Sequence, residues 1–505
     1  MSVDAVVIGS GPNGLAAAIR LAEAGRSVVV LEASDGFGGA VRTEELTLPG
    51  FHHDVFSSVY PAGAASPVFG RMPLAEHGLQ WVHPESCFAT PLPDGRAAPV
   101  LYRDVAQTAE SLNAGRAGDG DAWAAFAEPF LASWGALRAT MLAGFPPVGG
   151  ALKLLTSMGP LGTLGFARLL PESSVGLARR LFDGDDARAW LHGAAMHGDT
   201  PPDKPGGAIA AAYLNLLGHA VGWPSPRGGA GALAGALVSY LESLGGVVRT
   251  GARVESVTSA GGRATGVTIA GGESVAAPIV VADVMPHALA ALGGDALSGW
   301  YRALIKRYIY GPATLKLDWA LDGPIPWSDP AVRGAGTVHV GGGEDELLDT
   351  IATSGHALPR RPFLLLGQQT VADPTRAPAG KHTAWAYTHG PQDLAVWDEV
   401  ATARQVERVE AQVERYAPGF RDRVLARHVL GPADLQARNA NLVAGDVGGG
   451  SYVLRQVVFR PIPSLSPYRT PLKGLFLGSA AAFPGGAVHG VPGDAAAAAA
   501  LRRWP

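Results

Sequence analysis

AVVIGSGPNGLAAAIRLAEAGRSVVVLE, residues 5–32, decides the fold. A short apolar run, Ala5 to Ile8, meets a turn holding Gly9, Gly11 and Gly14. A helical run extends to about Ala24, Gly25 stops it, and the β-branched run Ser27 to Leu31 ends on an acid, Glu32. Strand, glycine turn, helix, strand and carboxylate in this order form a dinucleotide site. Gly9 makes the tight turn, Gly11 lets backbone approach a pyrophosphate, and Gly14 lets the helix pack close to the strand. The phosphates then face the N-terminus of a helix opening near Pro12, where free N–H groups and roughly half a positive charge point outward. Glu32 is placed to accept hydrogen bonds from the adenosine ribose hydroxyls.

Length and composition bound the rest. At 505 residues, 47% of them hydrophobic and 17% charged, the chain builds a large core, with a length prior of about three domains. A formal charge of −4 gives no basic footprint for nucleic acid. Cys87 is the only cysteine, so neither an intramolecular disulfide nor a C-x-x-C redox pair can form. The N-terminus has no basic, signal-like region and enters a strand directly, which predicts a cytoplasmic protein. No long uncharged apolar run predicts a membrane span. The nearest approach, residues 130–170, is broken by Arg138, Pro146, Pro147, Lys153, Pro160 and Arg168.

Past Glu32, the paired glycines Gly38 and Gly39 resemble the second signature of the two-dinucleotide-binding-motif flavoproteins, a superfamily containing amine oxidases and phytoene desaturases. There the segment lies under the pyrophosphate and leads toward the flavin. Many relatives follow the second glycine with arginine; here Ala40 follows, and Arg42 comes two positions later, either reaching phosphate or flavin or lying at the surface. His52, His53 and Asp54 read as polar loop residues near the cofactor, since adjacent side chains of an extended segment point apart and no metal framework accompanies them. Residues 71–222 change character. Trp123, Phe126, Phe130, Leu131 and Trp134 recur at helical spacing, predicting a mostly helical, apolar insertion. It is ordinary core, the lining of a tunnel for a lipid-like substrate, or a face touching a membrane surface.

The first architecture resumes near Pro226 with a helix from about Gly231 to Leu244, then alternating short strands. In the resemblance the backbone at Val254 contacts adenine, and Ile279–Ala282 returns to the parallel sheet, ending at Asp283. Further strands are predicted at Thr314–Ala320, Phe363–Gln368 and His382–Thr388, with a charged, solvated helix between Trp397 and Tyr416. No second strand–GxGxxG–helix–acid unit occurs, so electrons pass to an external acceptor or return to the product.

The C-terminal segment RPIPSLSPYRTPLKGLFLGSAAAFPGGAVHGVPG, residues 460–493, is the second strong signal. A strand ending at Gly478 leads through a small-residue loop to Gly485, Gly486, Ala487 and Val488, then to an alanine-rich helix. This segment resembles the phytoene desaturase family of flavoproteins across essentially the whole chain. Carotenoid desaturases carry Thr-His before the loop proline; this chain has Ala482-Phe483. The resemblance implies an α/β fold: a Rossmann-like FAD-binding domain (1–70, 223–290 and 450–505) with a discontinuous α+β substrate domain (71–222 and 291–449). It implies FAD, a helix N-terminus at the flavin's pyrimidine edge, an apolar small-molecule substrate and an external acceptor, oxygen or a quinone. Hydride abstraction by a flavin needs alignment and a dry pocket more than acid–base help. His489, the only titratable side chain in the flavin loop, either serves catalysis or caps the helix. Arg302, Lys306, Tyr308 and Tyr310 lie where the substrate domain approaches the ring. Two alternatives stand beside dehydrogenation: redox-neutral double-bond isomerisation or hydration, and a low-turnover FAD-bound interaction protein. Amine oxidation needs aromatic side chains around the ring, and the terminal loop offers only Phe483. Nothing in the sequence specifies an oligomeric state.

Overall fold

A computed structural model describes residues 2–198 and 200–503. Its valine-rich runs form a five-stranded, wholly parallel sheet in the order Leu475–Leu477, Ile279–Ala282, Ala5–Ile8, Val28–Leu31, Val247–Arg249. Ala5–Ile8 is central and buried along its whole length, which is why it is continuously apolar rather than alternating. The helix Pro12–Glu23 follows the glycine turn and ends before Gly25. A three-stranded antiparallel sheet, Val254–Ala260, Arg263–Ile269 and Ser274–Ala276, leads into Ile279–Ala282.

The two ends of the chain meet. Helix Val491–Leu501 lies along Pro12–Glu23 so closely that a Cβ on Gly493 would sit 1.8 Å from the Asn13 carbonyl oxygen. Arg71 donates to Asp494 at 2.6 Å and lies 3.5 Å from Glu23, tying both helices together.

A seven-stranded mixed sheet forms the second body, in the order Val424–Leu430, Ala313–Leu321, His382–Gly390, Leu364–Gly367, Ala335–Val340, Ser86–Ala89, Val100–Leu101. Strand side chains alternate between faces. Leu315, Leu317, Trp319 and Leu321 enter a core shared with Val406, Val409 and Val413 of helix Glu399–Tyr416, leaving Thr314, Lys316 and Asp318 on the opposite face. That helix is less solvated than its charge predicts: Gln405, Glu410 and Gln412 are buried, and Glu410 accepts from Trp319 Nε1 at 3.0 Å.

The segment 71–222 is mostly helical, but Ser86–Ala89 and Val100–Leu101 belong to the second sheet. Ser86–Ala89 pairs in parallel with Ala335–Val340, far along the chain, and so short a strand shows no periodicity of its own. The aromatic stripe is core: Trp123 is fully buried, crosses Trp190 edge-on at 5.1 Å and donates to His219 Nε2 at 2.9 Å. Helix Val148–Arg168 breaks at Gly159, where φ is +69°, immediately before Pro160, because proline disfavours helical backbone before it and lacks an N–H. Among the described residues no helix is long and apolar enough to cross a membrane.

Candidate active site

The glycine turn and the second glycine pair form one cradle. A Cβ on Gly14 would lie 2.1 Å from Gly9 O, one on Gly11 2.6 Å from Asp283 Oδ2, and one on Gly39 2.9 Å from Gly11 Cα. Side chains are therefore excluded where the helix opening at Pro12 meets Gly9, Gly38 and Gly39, which suits the close backbone approach a pyrophosphate needs. Gly38 N donates to Ser10 Oγ at 3.1 Å, holding the two segments together.

Glu32 is orientated from both sides. Its Oε2 accepts from Ser10 N (2.9 Å) and Oγ (2.7 Å), and its Oε1 from Ser34 N (2.9 Å) and Oγ (2.7 Å). Burial pushes its carboxyl up, but the Ser34 and Ser10 donors outweigh that and hold it below the usual range. Ala252 N donates to Glu32 O at 2.7 Å, which brings the strand opening at Val254 close to Glu32 at the edge of the cradle. Arg42 pairs with Glu44, which Arg438 also contacts at 2.9 Å; Ala40, not Arg42, lines the central cavity.

At the other end, Gly478 N donates to Ala282 O at 2.9 Å, continuing the sheet toward the terminal loop. Gly486 N donates to Tyr452 Oη at 2.9 Å, Tyr468 Oη to Phe483 O at 3.0 Å and Ser66 Oγ to His489 O at 2.6 Å. These anchors hold Ala487 and Val488 at φ +84° and +52°, a left-handed backbone costing side-chain-bearing residues about 1–3 kcal/mol each. A Cβ on Gly485 would lie 2.3 Å from Nη1 of Arg460, a fully buried cation that donates to Gly450 O at 2.9 Å and stacks on Tyr452. His489 is buried. Its Nδ1 accepts from Val491 N at 3.2 Å, its ring also bonds the Gly486 backbone, and burial pushes it down to about 4. It is thus a neutral ring stitching the loop to the helix start.

Between the two bodies lies a cavity of about 530 Å³. Its wall includes Ala40, Ser57 and Gly486 to His489 together with Met141, Leu142, Phe145, Phe166 and Leu170, and Phe145 meets Phe483 edge-on at 5.1 Å. Helix Gly207–Val221 contributes Ile209, Ala210, Tyr213, Leu214 and Leu217, a stripe at helical spacing. Trp385, Tyr387 and Tyr452 supply the aromatic surface that the terminal loop alone lacks. Among the described residues no aspartate or glutamate lines it, and Lys316 is the one lysine or arginine that does.

Lys316 Nζ sits 2.5 Å from both carboxylate oxygens of Asp318. Burial pushes the Asp318 carboxyl up to about 6 against the pull of Lys316. Residues 53 and 54 are not a polar loop: they form a buried strand paired with Thr43–Glu44. Asp54 lies 2.9 Å from Arg376 and accepts from Ala230 N at 2.8 Å, and burial, then Lys316 and Arg376, push His53 down to about 3. Adjacent charges compensate one another there, which a local reading of the sequence does not show. A strand otherwise apolar that places Lys316 and Asp318 two apart was the available signal for Lys316. Trp385 and Tyr387 carry no such signal.

Arg302, Lys306, Tyr308 and Tyr310 do not line the cavity; Tyr308 Oη donates to Gly449 O at 2.7 Å and Arg302 pairs with Asp295 at 3.1 Å. Cys87 is buried, which pushes its thiol up to about 12. Among the described residues no three metal-ligating side chains come together.

A parallel sheet that draws both chain ends onto one glycine cradle, with a largely apolar cavity beside it, is the fold of an FAD-dependent oxidoreductase, the class to which the following matches assign the chain. The chain belongs to the flavin-containing amine oxidoreductase family, whose model matches residues 13–501. It is 30% identical to pyridine nucleotide-disulfide oxidoreductase domain-containing protein 2 of Rattus norvegicus, across 98% of this chain and 92% of that one. It is 27% identical to phytoene dehydrogenase of Streptomyces griseus, across 86% and 83%. Among solved structures, an oxidoreductase from Methanosarcina mazei matches all of both chains with a TM-score of 0.64 at 19% identity. The resemblance to phytoene desaturases and the FAD cofactor both stand on these matches.

Proposed function

We propose that the protein dehydrogenates a neutral, largely apolar molecule. FAD supplies a hydride acceptor at N5 and a route for electrons to oxygen or a quinone. Gly9, Gly11, Pro12, Gly14, Gly38 and Gly39 would hold its pyrophosphate, Glu32 its ribose and the backbone at Val254 its adenine. Gly478 and Gly485 to Val488 would face the ring, with the N-terminus of helix Val491–Leu501 favouring negative charge there. His489 acts by fixing that loop: with Nδ1 accepting from Val491 and the ring bonded to Gly486, it positions rather than shuttles protons.

The observation that carries this reading is the cavity's chemistry. Its volume suits a small organic ligand, and its walls are apolar and aromatic. A cationic amine would meet Lys316, and no carboxylate among the described lining residues. The wall includes Phe166 of helix Val148–Arg168, whose Val148, Leu152, Leu155, Leu161 and Leu164 are exposed. This supports entry of substrate from a lipid surface. The test is anaerobic titration of the yellow holoprotein with neutral apolar alcohols and alkenes and with alkylamines of equal carbon number. Bleaching of the visible flavin band by a neutral compound is expected; bleaching by amines alone would overturn the assignment.

A further inference from the structure

Behind the terminal loop stands a charge that the fold does not neutralise. Arg460 is fully buried, yet among the described residues it forms no ion pair. Its Nη2 donates to Gly450 O at 2.9 Å, with Gly449 O and Ser451 O at 3.4 and 3.3 Å. Its Nε and Nη1 are sealed from solvent and complete no hydrogen bond of good geometry. The rings of Tyr452 and Tyr308 face the guanidinium, their centroids 4.6 and 5.8 Å from its carbon. Asp446 acts on it through its charge, but the Asp446 oxygens accept from Gly311 N, Gly448 N and Gly450 N at 2.9, 2.9 and 2.8 Å.

A guanidinium stays charged at any pH a folded protein meets. Burying it without a paired anion is costly, and two aromatic faces offset only part of that cost. Holding three carbonyls requires donors rather than a charge, and one nitrogen does all of it. Nη1 lies instead against Gly485, where an added Cβ would sit 2.3 Å away. Gly485 leads into Gly486, Ala487 and Val488, which line the cavity, whereas Arg460 does not. The cation is therefore packed behind the stretch of loop assigned to the ring.

We infer that Arg460 sets the electron affinity of the cofactor, as a stored positive charge that finds its counter-charge when the flavin is reduced. A hydride brings two electrons and one proton to a neutral ring, which gains one negative charge, and leaves the substrate oxidised by two electrons. The attraction acts through buried backbone, where neither water nor salt screens it well. It adds to the effect of the helix N-terminus at Val491. This rests on the reading that places Gly485 to Val488 at the ring, and extends it to a residue outside the cavity.

The experiment measures the reduction potential of the bound flavin, by anaerobic reduction of the holoprotein in equilibrium with a reference dye, in wild type, R460K, R460Q, D446N and A487D. R460Q keeps a donor for Gly450 O and loses the charge. It should lower the equilibrium constant for two-electron reduction about hundredfold, or about 59 mV. R460K should stay within about threefold of wild type. D446N, which removes a negative charge acting on the same cation, should raise the constant about tenfold; loosening of the loop would not give shifts of opposite sign. A487D places a carboxylate on the cavity side of the loop, at a left-handed position aspartate tolerates, and should lower the constant if the loop faces the ring. A shift in A487D with none in R460Q and D446N would overturn the inference and leave the loop at the ring, as would R460K falling as far as R460Q. No shift in any variant would overturn both readings. Should R460Q purify without flavin, D446N decides: a rise supports the inference and no rise overturns it.

Discussion

Asp283 closes the strand beside the first one, and its Oδ2 accepts from Gly14 N at 2.9 Å, under the cofactor cradle. Burial pushes its carboxyl up to about 7; the Gly14 bond opposes this and the Glu32 charge adds to it. In the unfolded chain the same carboxyl titrates near 4. Between about pH 4 and pH 7 the folded protein therefore holds more protons than the unfolded one, so this group's contribution to stability falls as pH rises through that window. About three units at 1.4 kcal/mol each makes the penalty above pH 7 of the order of 4 kcal/mol. D283N keeps an acceptor for Gly14 N–H and cannot ionise. It should match wild type near pH 4 and exceed it by a few kcal/mol at pH 8 in urea unfolding, and identical midpoints at pH 8 would refute the account.

At the scale of elements, helix Val148–Arg168 has an outer face its own fold does not cover. Leu161 is 85% exposed and Val148 66%. The only ionisable side chains between Glu128 and Glu172 are Arg138, Lys153 and Arg168, cations that suit an anionic headgroup layer. The break at Gly159 leaves two short halves. The holoprotein should cosediment with vesicles rich in anionic phospholipid, less so as salt rises. The double substitution L152E/L161E should weaken this by about tenfold or more, since it buries two charges in place of two leucines, without changing flavin content. Equal recovery of wild type and variant would remove the lipid-surface reading.

For the molecule as a whole, one core runs from Val6 and Val29 of the nucleotide sheet to Trp123 and Trp190 of the helical layer and Phe476 near the C-terminus. A cofactor held by residues from both chain ends would stabilise all of this at once. Free FAD at a hundred times its dissociation constant should add about 2.7 kcal/mol, raising Tm, with flavin release and loss of helical circular dichroism in one transition. An apoprotein melting at the holoprotein's temperature would show that the two ends do not share the cofactor.

What the sequence determined by itself was local in origin. Glycine spacing and a β-branched run ending on Glu32 state their backbone geometry in a few adjacent residues, so the nucleotide fold and the cofactor were readable before any coordinates, whereas the left-handed Ala487 and Val488 depend on Tyr452, Tyr468 and Ser66. The strands Ala313–Leu321 and His382–Gly390 were readable for the same reason. Tertiary structure decided the rest, because it depends on which distant residues compensate one another. Asp54 is stable only beside Arg376, Lys316 only beside Asp318, and Ser86–Ala89 is a strand only because Ala335–Val340 runs next to it. Contacts of that kind leave no period or motif in a linear chain, since their energy comes from desolvation and partners that only folding brings together.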